Sequence, residues 1–191
     1  MLRLLLTLIE ANFYYYRSLE TDINEHFDTI KRYAEDCDHI IEVGVRGVNS
    51  TWAFLYGNPK NMLSIDKFDP IEWDVDVKIV KQIAKDNGIE WDFIQGDILE
   101  IEIPETDLLF IDTLHNYPQL SNELKLHGNK AKKYIVMHDT ETNKIVGDFG
   151  GEGLQKAIDE FLLENKHWAV KEVFTNNNGL TILKRGGIEN G

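Results

Sequence analysis

The feature that most constrains this chain is an alternation, repeated five times, of short apolar runs with segments of helical period. The runs are residues 38–45, Met62–Asp66, Trp91–Gln95, Asp107–Asp112 and Tyr134–Met137. Each is short, apolar through its centre and closed by a polar residue or glycine, as expected of a buried parallel strand. Between them lie helix patterns. Residues 20–36 carry Ile23, Phe27, Ile30 and Tyr33 near a 3.6 period, with Thr21 as cap and Glu25 as capping-box partner. Asn49, Ser50 and Thr51 offer caps for Trp52–Tyr56, and Gly88 closes a helix over 75–87. Pro118 suits the first turn of a helix running to about Lys132, and Leu154–Glu164 forms another. Two last strands, Trp168–Phe174 and Leu180–Leu183, flank the turn signal Thr175-Asn176-Asn177-Asn178-Gly179 of an antiparallel hairpin.

Such alternation predicts an α/β fold with a mostly parallel sheet covered on both faces by helices. Right-handed crossovers bring the carboxyl ends of the parallel strands to one edge, where ligands bind in folds of this kind. No repeat or low-complexity linker interrupts the pattern. We therefore expect an arm or helix over residues 1–19, one domain over 20–185 and a frayed tail over 186–191.

Charge and cysteine content narrow the function. A net charge of −13 argues against nucleic acid or an anionic membrane as partner. Cys37 is the sole cysteine, which excludes an internal disulfide and a cysteine-rich zinc site; we read it as a half-buried helix residue in a protein of the reducing cytoplasm. The run Leu4–Ile9 falls short of the roughly 20 residues that cross a bilayer, and Glu10 and Asn12 interrupt it before any signal-peptide cleavage site. This segment, with Phe13 and Tyr14-Tyr15-Tyr16, is expected to pack on the body or on a second subunit of a homo-oligomer. Trp52, Trp73, Trp91 and Trp168 are expected in or at the edge of the core.

Polar residues accumulate at the strand ends: Glu42 and Gly44, Asp66, Asp97 after Gly96, Asp112, and His138 with Asp139. Gly44 and Gly47 permit a tight turn and close approach of a ligand. Asp66 follows Gly44 by 66 − 44 = 22 positions, near the ~20-residue spacing at which nucleotide-binding folds place an acid on ribose hydroxyls. A carboxylate suits that diol because it accepts two hydroxyl hydrogen bonds. The glycine pattern is incomplete for a pyrophosphate: no second glycine follows at Val45-Arg46, and Val48 stands where close helix packing wants a small residue. The acid at Glu42 suits a cationic ligand. S-adenosylmethionine (SAM), with a sulfonium, an ammonium and no phosphate, meets both conditions.

The chain resembles class I SAM-dependent methyltransferases, in particular a compact group of cephalosporin-hydroxylase-like and sugar O-methyltransferases. The resemblance spans about residues 20–185. It is carried by Glu42-Val43-Gly44-Val45-Arg46 with Ser50-Thr51, by Leu109-Phe110-Ile111-Asp112-Thr113-Leu114-His115, by Val136-Met137-His138-Asp139-Thr140 and by Asn178-Gly179-Leu180-Thr181. It implies a Rossmann-like three-layer sandwich with a seven-stranded sheet ordered 3-2-1-4-5-7-6, strand 7 antiparallel. It also implies O-methylation of a small hydroxylated, sugar-like acceptor. By that likeness Glu42 and Gly44 would cradle the methionine part, Asp66 the ribose and Asp97 the adenine amino group. Val45, Arg46, Ser50, Thr51, Lys67, Gly96, Ile98 and Asp112 complete the implied cofactor set.

The same resemblance points to Asp112 and His115 as catalytic. His115 is the candidate general base, because a neutral imidazole can take a hydroxyl proton as methyl transfers; a purely structural role for His115 and His138 is the competing reading. Asp112, Asp139 and His138 are the candidate metal set. Magnesium prefers oxygen, and a softer ion would accept the imidazole nitrogen of His138. Residues 140–153, with Gly147, Gly150, Gly151 and Gly153, read as either a lid or a surface connection. Two other functions remain open on these residues: a nicotinamide- or other nucleotide-dependent oxidoreductase, and a cofactor-binding protein without catalysis.

Overall fold

The computed structural model describes residues 7–186, so Leu4–Leu6 of the apolar run and the tail from residue 187 lie outside the described residues. Seven strands form one sheet: β1 (His39–Val43), β2 (Asn61–Asp66), β3 (Glu90–Gln95), β4 (Thr106–Ile111), β5 (Ala131–His138), β6 (Trp168–Phe174) and β7 (Leu180–Arg185). Their order is β3-β2-β1-β4-β5-β7-β6. β7 runs antiparallel to both β5 and β6, so the sheet has the expected order and the expected reversed strand. Among the described residues six helices accompany it: α1 (Leu8–Ser18), α2 (Phe27–Ala34), α3 (Asn49–Tyr56), α4 (Val77–Asp86), α5 (Tyr117–His127) and α6 (Leu154–Glu164). No helix among the described residues is long and apolar enough to cross a membrane.

The chain divides into two compact units, one up to Asp97 and one from Ile98. In the first, β1, β2 and β3 pair in parallel, with Val43 opposite Ile65 and Ile65 opposite Ile94. Ile40, Val43, Met62, Ile65 and Trp91 are buried along these strands. α1 and α2 both pack on α3. Phe13 of α1 and Phe27 of α2 are sealed from solvent, their ring centroids 5.6 Å apart, and each such ring stabilises the fold by roughly 1.5–3 kcal/mol. Asp76 caps α4 by accepting the Lys78 N–H at 2.9 Å, and Gly88, at φ +79°, ends it in the left-handed region expected of a terminating glycine.

Several local expectations differ from the structure. Thr21 does not open a helix. Its hydroxyl accepts the Asn24 N–H at 3.1 Å and supports a short 3₁₀ turn, Asn24–His26, ahead of α2. α3 has no side-chain cap, because Val48 occupies the cap position and the expected caps Asn49, Ser50 and Thr51 lie inside the helix, the last two donating their hydroxyls to the buried Glu42. Trp73 is 39% exposed, while the other three tryptophans are buried. Of the first aromatic run, Phe13 packs in the core as expected, while Tyr14 and Tyr15 are exposed. Cys37 follows α2 rather than lying in it, and it is fully buried, its thiol donating to the Tyr33 carbonyl at 3.3 Å.

In the second unit β4 and β5 are parallel and β7 and β6 extend the sheet. The core runs through Leu108, Phe110, Ile135, Met137, Ile182 and Leu183. α5 ends at His127, earlier than the periodicity predicts, and a 3₁₀ turn at Gly128–Lys130 leads directly into β5. Gly128 is required there for packing: a Cβ would stand 2.7 Å from the Phe161 ring of α6.

Candidate functional site

The Glu42–Gly47 turn leaves β1 in a sequence of left-handed residues: Gly44 at φ +85°, Arg46 at +45° and Val48 at +59°. Only glycine adopts this conformation freely; each of the others costs on the order of 1 kcal/mol or more, so surrounding contacts must impose it. Asp66, at the end of β2, supplies them. Its Oδ2 accepts the backbone N–H groups of Val45 at 2.6 Å and Arg46 at 2.9 Å, and its Oδ1 accepts that of Phe68 at 2.9 Å. The Gly44 N–H donates to the Ile65 carbonyl, prolonging the β1–β2 ladder into the turn. Asp66 thus shapes the loop that sequence reasoning paired it with, and Oδ1 keeps acceptor capacity for a further donor.

Glu42 is fully buried. Ser50 Oγ donates to its Oε1 at 2.6 Å, while Thr51 Oγ1 at 2.8 Å and Ser64 Oγ at 2.7 Å donate to its Oε2. Trp91 Nε1 in turn donates to Ser64 Oγ at 2.9 Å. A buried carboxylate is tolerated only when its lone pairs are met, and here hydroxyls from α3 and β2 meet them. Glu42, Ser50 and Thr51 therefore tie β1 to α3 beneath the turn. The turn's flank is polar: Arg46 pairs with Asp22 at 3.1 Å, and Lys67 with Asp97 at 2.7 Å. The Gly96 N–H donates to the Asp66 carbonyl at 2.7 Å.

The second unit gathers the other predicted residues. Asp112 follows β4, His138 ends β5, and Asp139 sits just beyond it at φ +57°, a strained backbone for a non-glycine residue. His115 Nε2 lies 3.3 Å from Asp112 Oδ1 and 2.9 Å from Asp139 Oδ2. His138 Nδ1 lies 3.3 Å and 3.1 Å from the same two oxygens. Each remaining ring nitrogen also faces an acceptor: His115 Nδ1 meets Asp148 Oδ2 at 3.0 Å, and His138 Nε2 meets the Asn177 carbonyl at 3.2 Å. With acceptors at both nitrogens, both rings are imidazolium in this arrangement. Burial opposes that charge. The Asp112 and Asp139 carboxylates outweigh it, raising His115 to about 10 and His138 to about 11. Burial likewise works against the charged acids, yet the two histidines hold Asp112 and Asp139 below the usual carboxylate range.

Ile98 is buried, and its carbonyl accepts from His127 Nε2 at 2.9 Å. Two supporting groups carry no sequence signal of their own. Asp148 lies in the glycine-rich segment after β5, and its N–H donates to the His115 carbonyl at 2.8 Å. Asn177 lies in the β6–β7 hairpin turn and meets His138 through its backbone oxygen, an atom that no side-chain motif announces. The adjacent Asn178 carbonyl accepts the N–H groups of Glu141 and Thr142, fastening the segment after β5 to the same hairpin.

No protein-family model matches the sequence, and no curated protein matches it. Solved structures do match in shape. An O-methyltransferase from Bacillus cereus in complex with SAH superposes with a TM-score of 0.65 at 10% identity, over 97% of this chain and 93% of that one. SAH-bound methyltransferase from Podospora anserina gives 0.61 at 16% identity, over 94% and 88%. The O-methyltransferase TomG from Streptomyces achromogenes, in complex with SAM, gives 0.62 at 12% identity, over 86% and 81%. The likeness is one of fold. It extends over 86–97% of this chain.

Proposed function

We propose that the protein is a SAM-dependent O-methyltransferase acting on a small hydroxylated acceptor. One observation carries this reading: the sheet order β3-β2-β1-β4-β5-β7-β6 with β7 antiparallel. Dinucleotide-binding sheets of the same general kind run 3-2-1-4-5-6, so the oxidoreductase alternative is not favoured by the topology, as it is not by the incomplete glycine pattern. Solved structures of this fold from three organisms were determined with SAM or SAH and bear the name methyltransferase.

In this proposal the turn after β1 holds the cofactor, with Asp66 Oδ1 accepting from ribose and Asp97 from the adenine amino group. Glu42, Ser50 and Thr51 act by shaping the turn. The Asp112–His115–His138–Asp139 cluster serves the acceptor. The acceptor hydroxyl loses its proton to His115 Nε2; its oxygen attacks the methyl carbon; the carbon–sulfur bond breaks with its electron pair going to sulfur, leaving SAH and a methyl ether. In-line positioning contributes most of the rate, and the base assists.

His115 must be neutral to act in this way. Its raised pKa comes from Asp112 and Asp139, so with their charge compensated the imidazole titrates nearer its ordinary value. A divalent cation fits the cluster: ligand atoms of Asp112, His138 and Asp139 lie within 4.8 Å of one another, and the His138 Nε2 contact with the Asn177 carbonyl orients the ring for coordination through Nδ1. Two carboxylates and one imidazole suit manganese, iron or zinc better than magnesium. When bound, such an ion would supply positive charge beside the acceptor oxygen.

Thermal-shift measurements with SAM, SAH and NADH, each with MnCl2, MgCl2 or EDTA, test the reading. SAH at 100 times its Kd should stabilise by about 2.7 kcal/mol, and Asp66→Ala should abolish the shift. Manganese should raise the melting temperature of the wild type and not of Asp139→Asn. Stabilisation by NADH alone would overturn the methyltransferase assignment.

A further inference from the structure

We infer that Asp148 is a positioning residue of the transfer site, holding His115 through its backbone N–H and Nδ1 so that Nε2 faces Asp112 and Asp139. The inference rests on the proposed role of His115, and its geometry is independent of any ligand. Asp148 Oδ2 meets His115 twice, accepting the backbone N–H at 3.1 Å and facing Nδ1 at 3.0 Å. An ionised carboxylate only accepts, so Nδ1 carries the proton. Oδ1 is held as well, accepting from Asn143 Nδ2 at 3.1 Å. The Asn143 N–H in turn donates to the Asp139 carbonyl, so the group that orients His115 is itself referenced to the cluster.

A loop anchor would not need this carboxylate. The backbone bond from the Asp148 N–H to the His115 carbonyl already closes the segment on the strand end. Gly147 brings the two backbones together: a Cβ there would stand 2.7 Å from the His115 carbonyl oxygen and 2.8 Å from Asn116 Cα. The side chain adds something else, a fixed ring plane and an acceptor that keeps the proton on Nδ1 when Nε2 gives up its own. That is the part an orienting carboxylate plays in any carboxylate–imidazole pair in which the far nitrogen handles the substrate proton. The glycine-rich segment is therefore a wall of the site, with Asp148 as its working residue.

The test uses the full chain labelled with 15N, with His115 ring signals assigned by their loss in His115→Gln. Long-range proton–nitrogen spectra of the wild type should show a protonated Nδ1 whose proton is downfield and slow to exchange. Asp148→Asn keeps the shape of the side chain, and exchange of that proton should accelerate at least about tenfold, the factor for losing one charge-assisted hydrogen bond. Asp148→Ala should remove the signal. SAH affinity should stay within about threefold in both variants, less than 1 kcal/mol. An Nδ1 proton unchanged in both variants, or one absent from the wild type, overturns the inference. So does a loss of SAH affinity parallel to the loss of the ring proton, which would make Asp148 a prop of the whole fold. If the wild type does not bind SAH, the methyltransferase reading fails, while the ring-proton comparison still decides the role of Asp148.

Discussion

Replacing Glu42 by glutamine probes the buried knot beneath the turn. The wild-type carboxylate accepts three hydroxyl hydrogen bonds, from Ser50, Thr51 and Ser64, with no access to water. Hydrogen bonds to a charged acceptor contribute about 1.5–3 kcal/mol each, against about 0.5–1.5 for neutral pairs. Glutamine can set its carbonyl toward Thr51 and Ser64 and keep both bonds in neutral form, a loss of about 1 kcal/mol each. Its amide then faces Ser50, whose hydroxyl rotates from donor to acceptor. The expected net loss is about 1–3 kcal/mol, because glutamine also sheds part of the desolvation cost of a buried charge. For 191 residues, an unfolding entropy of about 2.1 cal/mol/K per residue gives about 0.4 kcal/mol/K, so the melting temperature should fall by about 3–8 °C. Glu42→Ala should fall further, since it orphans three buried donors. Calorimetry together with urea unfolding of both variants provides the measurement. A Glu42→Gln protein as stable as the wild type, or a Glu42→Ala protein more stable than Glu42→Gln, would refute the picture of a carboxylate held by three donors.

Two further predictions concern the cluster and its loop. His115 and His138 have folded pKa values of about 10 and 11, against an ordinary 6.5. The folded state therefore binds those protons more tightly, and the stabilisation is complete below pH 6.5 and disappears as pH rises toward 10 and 11. Asp112 and Asp139 are lowered, so their contribution is present above the ordinary carboxylate value of 3.8 and is lost on acidification. EDTA-treated protein should melt highest between those limits, and His115→Gln should flatten the alkaline limb; an alkaline limb of unchanged slope in that variant would count against the assignment. Among glycines, Gly147→Ala should destabilise by about 1–3 kcal/mol through overpacking against His115 and Asn116. Gly88→Ala, at φ +79° with open space around it, should cost about 1–2 kcal/mol through backbone strain alone. Only Gly147→Ala should disturb the His115 ring signals.

Much of the architecture was legible because buried strands and amphipathic helices write their periods into the residues directly. α6 and β6 have the bounds that the pattern predicts, since Leu154–Glu164 and Trp168–Phe174 are bordered by strong breaks. β5 starts earlier than its apolar run, with Lys132 and Lys133 inside the strand and paired with Glu105 and Asp107; a charged residue at the start of a strand reads as loop until its partner is visible. Thr21 misled for a related reason: a capping hydroxyl serves a 3₁₀ turn as readily as an α-helix. At the site, acids and histidines placed at strand ends were legible from topology. Their mutual contacts were not, because Asp148 reaches His115 across 33 residues and Asn177 reaches His138 through a backbone atom. Nor does a sequence reveal that Glu42 faces inward to Ser50 and Thr51, since an acid before glycines reads the same whether it meets a ligand or the core.

The clamp that Asp66 places on the turn also bears on how the protein is made. Three left-handed residues within five positions do not assemble from local preference, and the carboxylate that compensates them arrives some twenty residues later in the chain. A nascent chain that has emerged only through α3 holds the whole glycine motif and none of the force that shapes it. The shape of that turn therefore arises when β2 docks beside β1, as a product of tertiary assembly rather than of the motif itself.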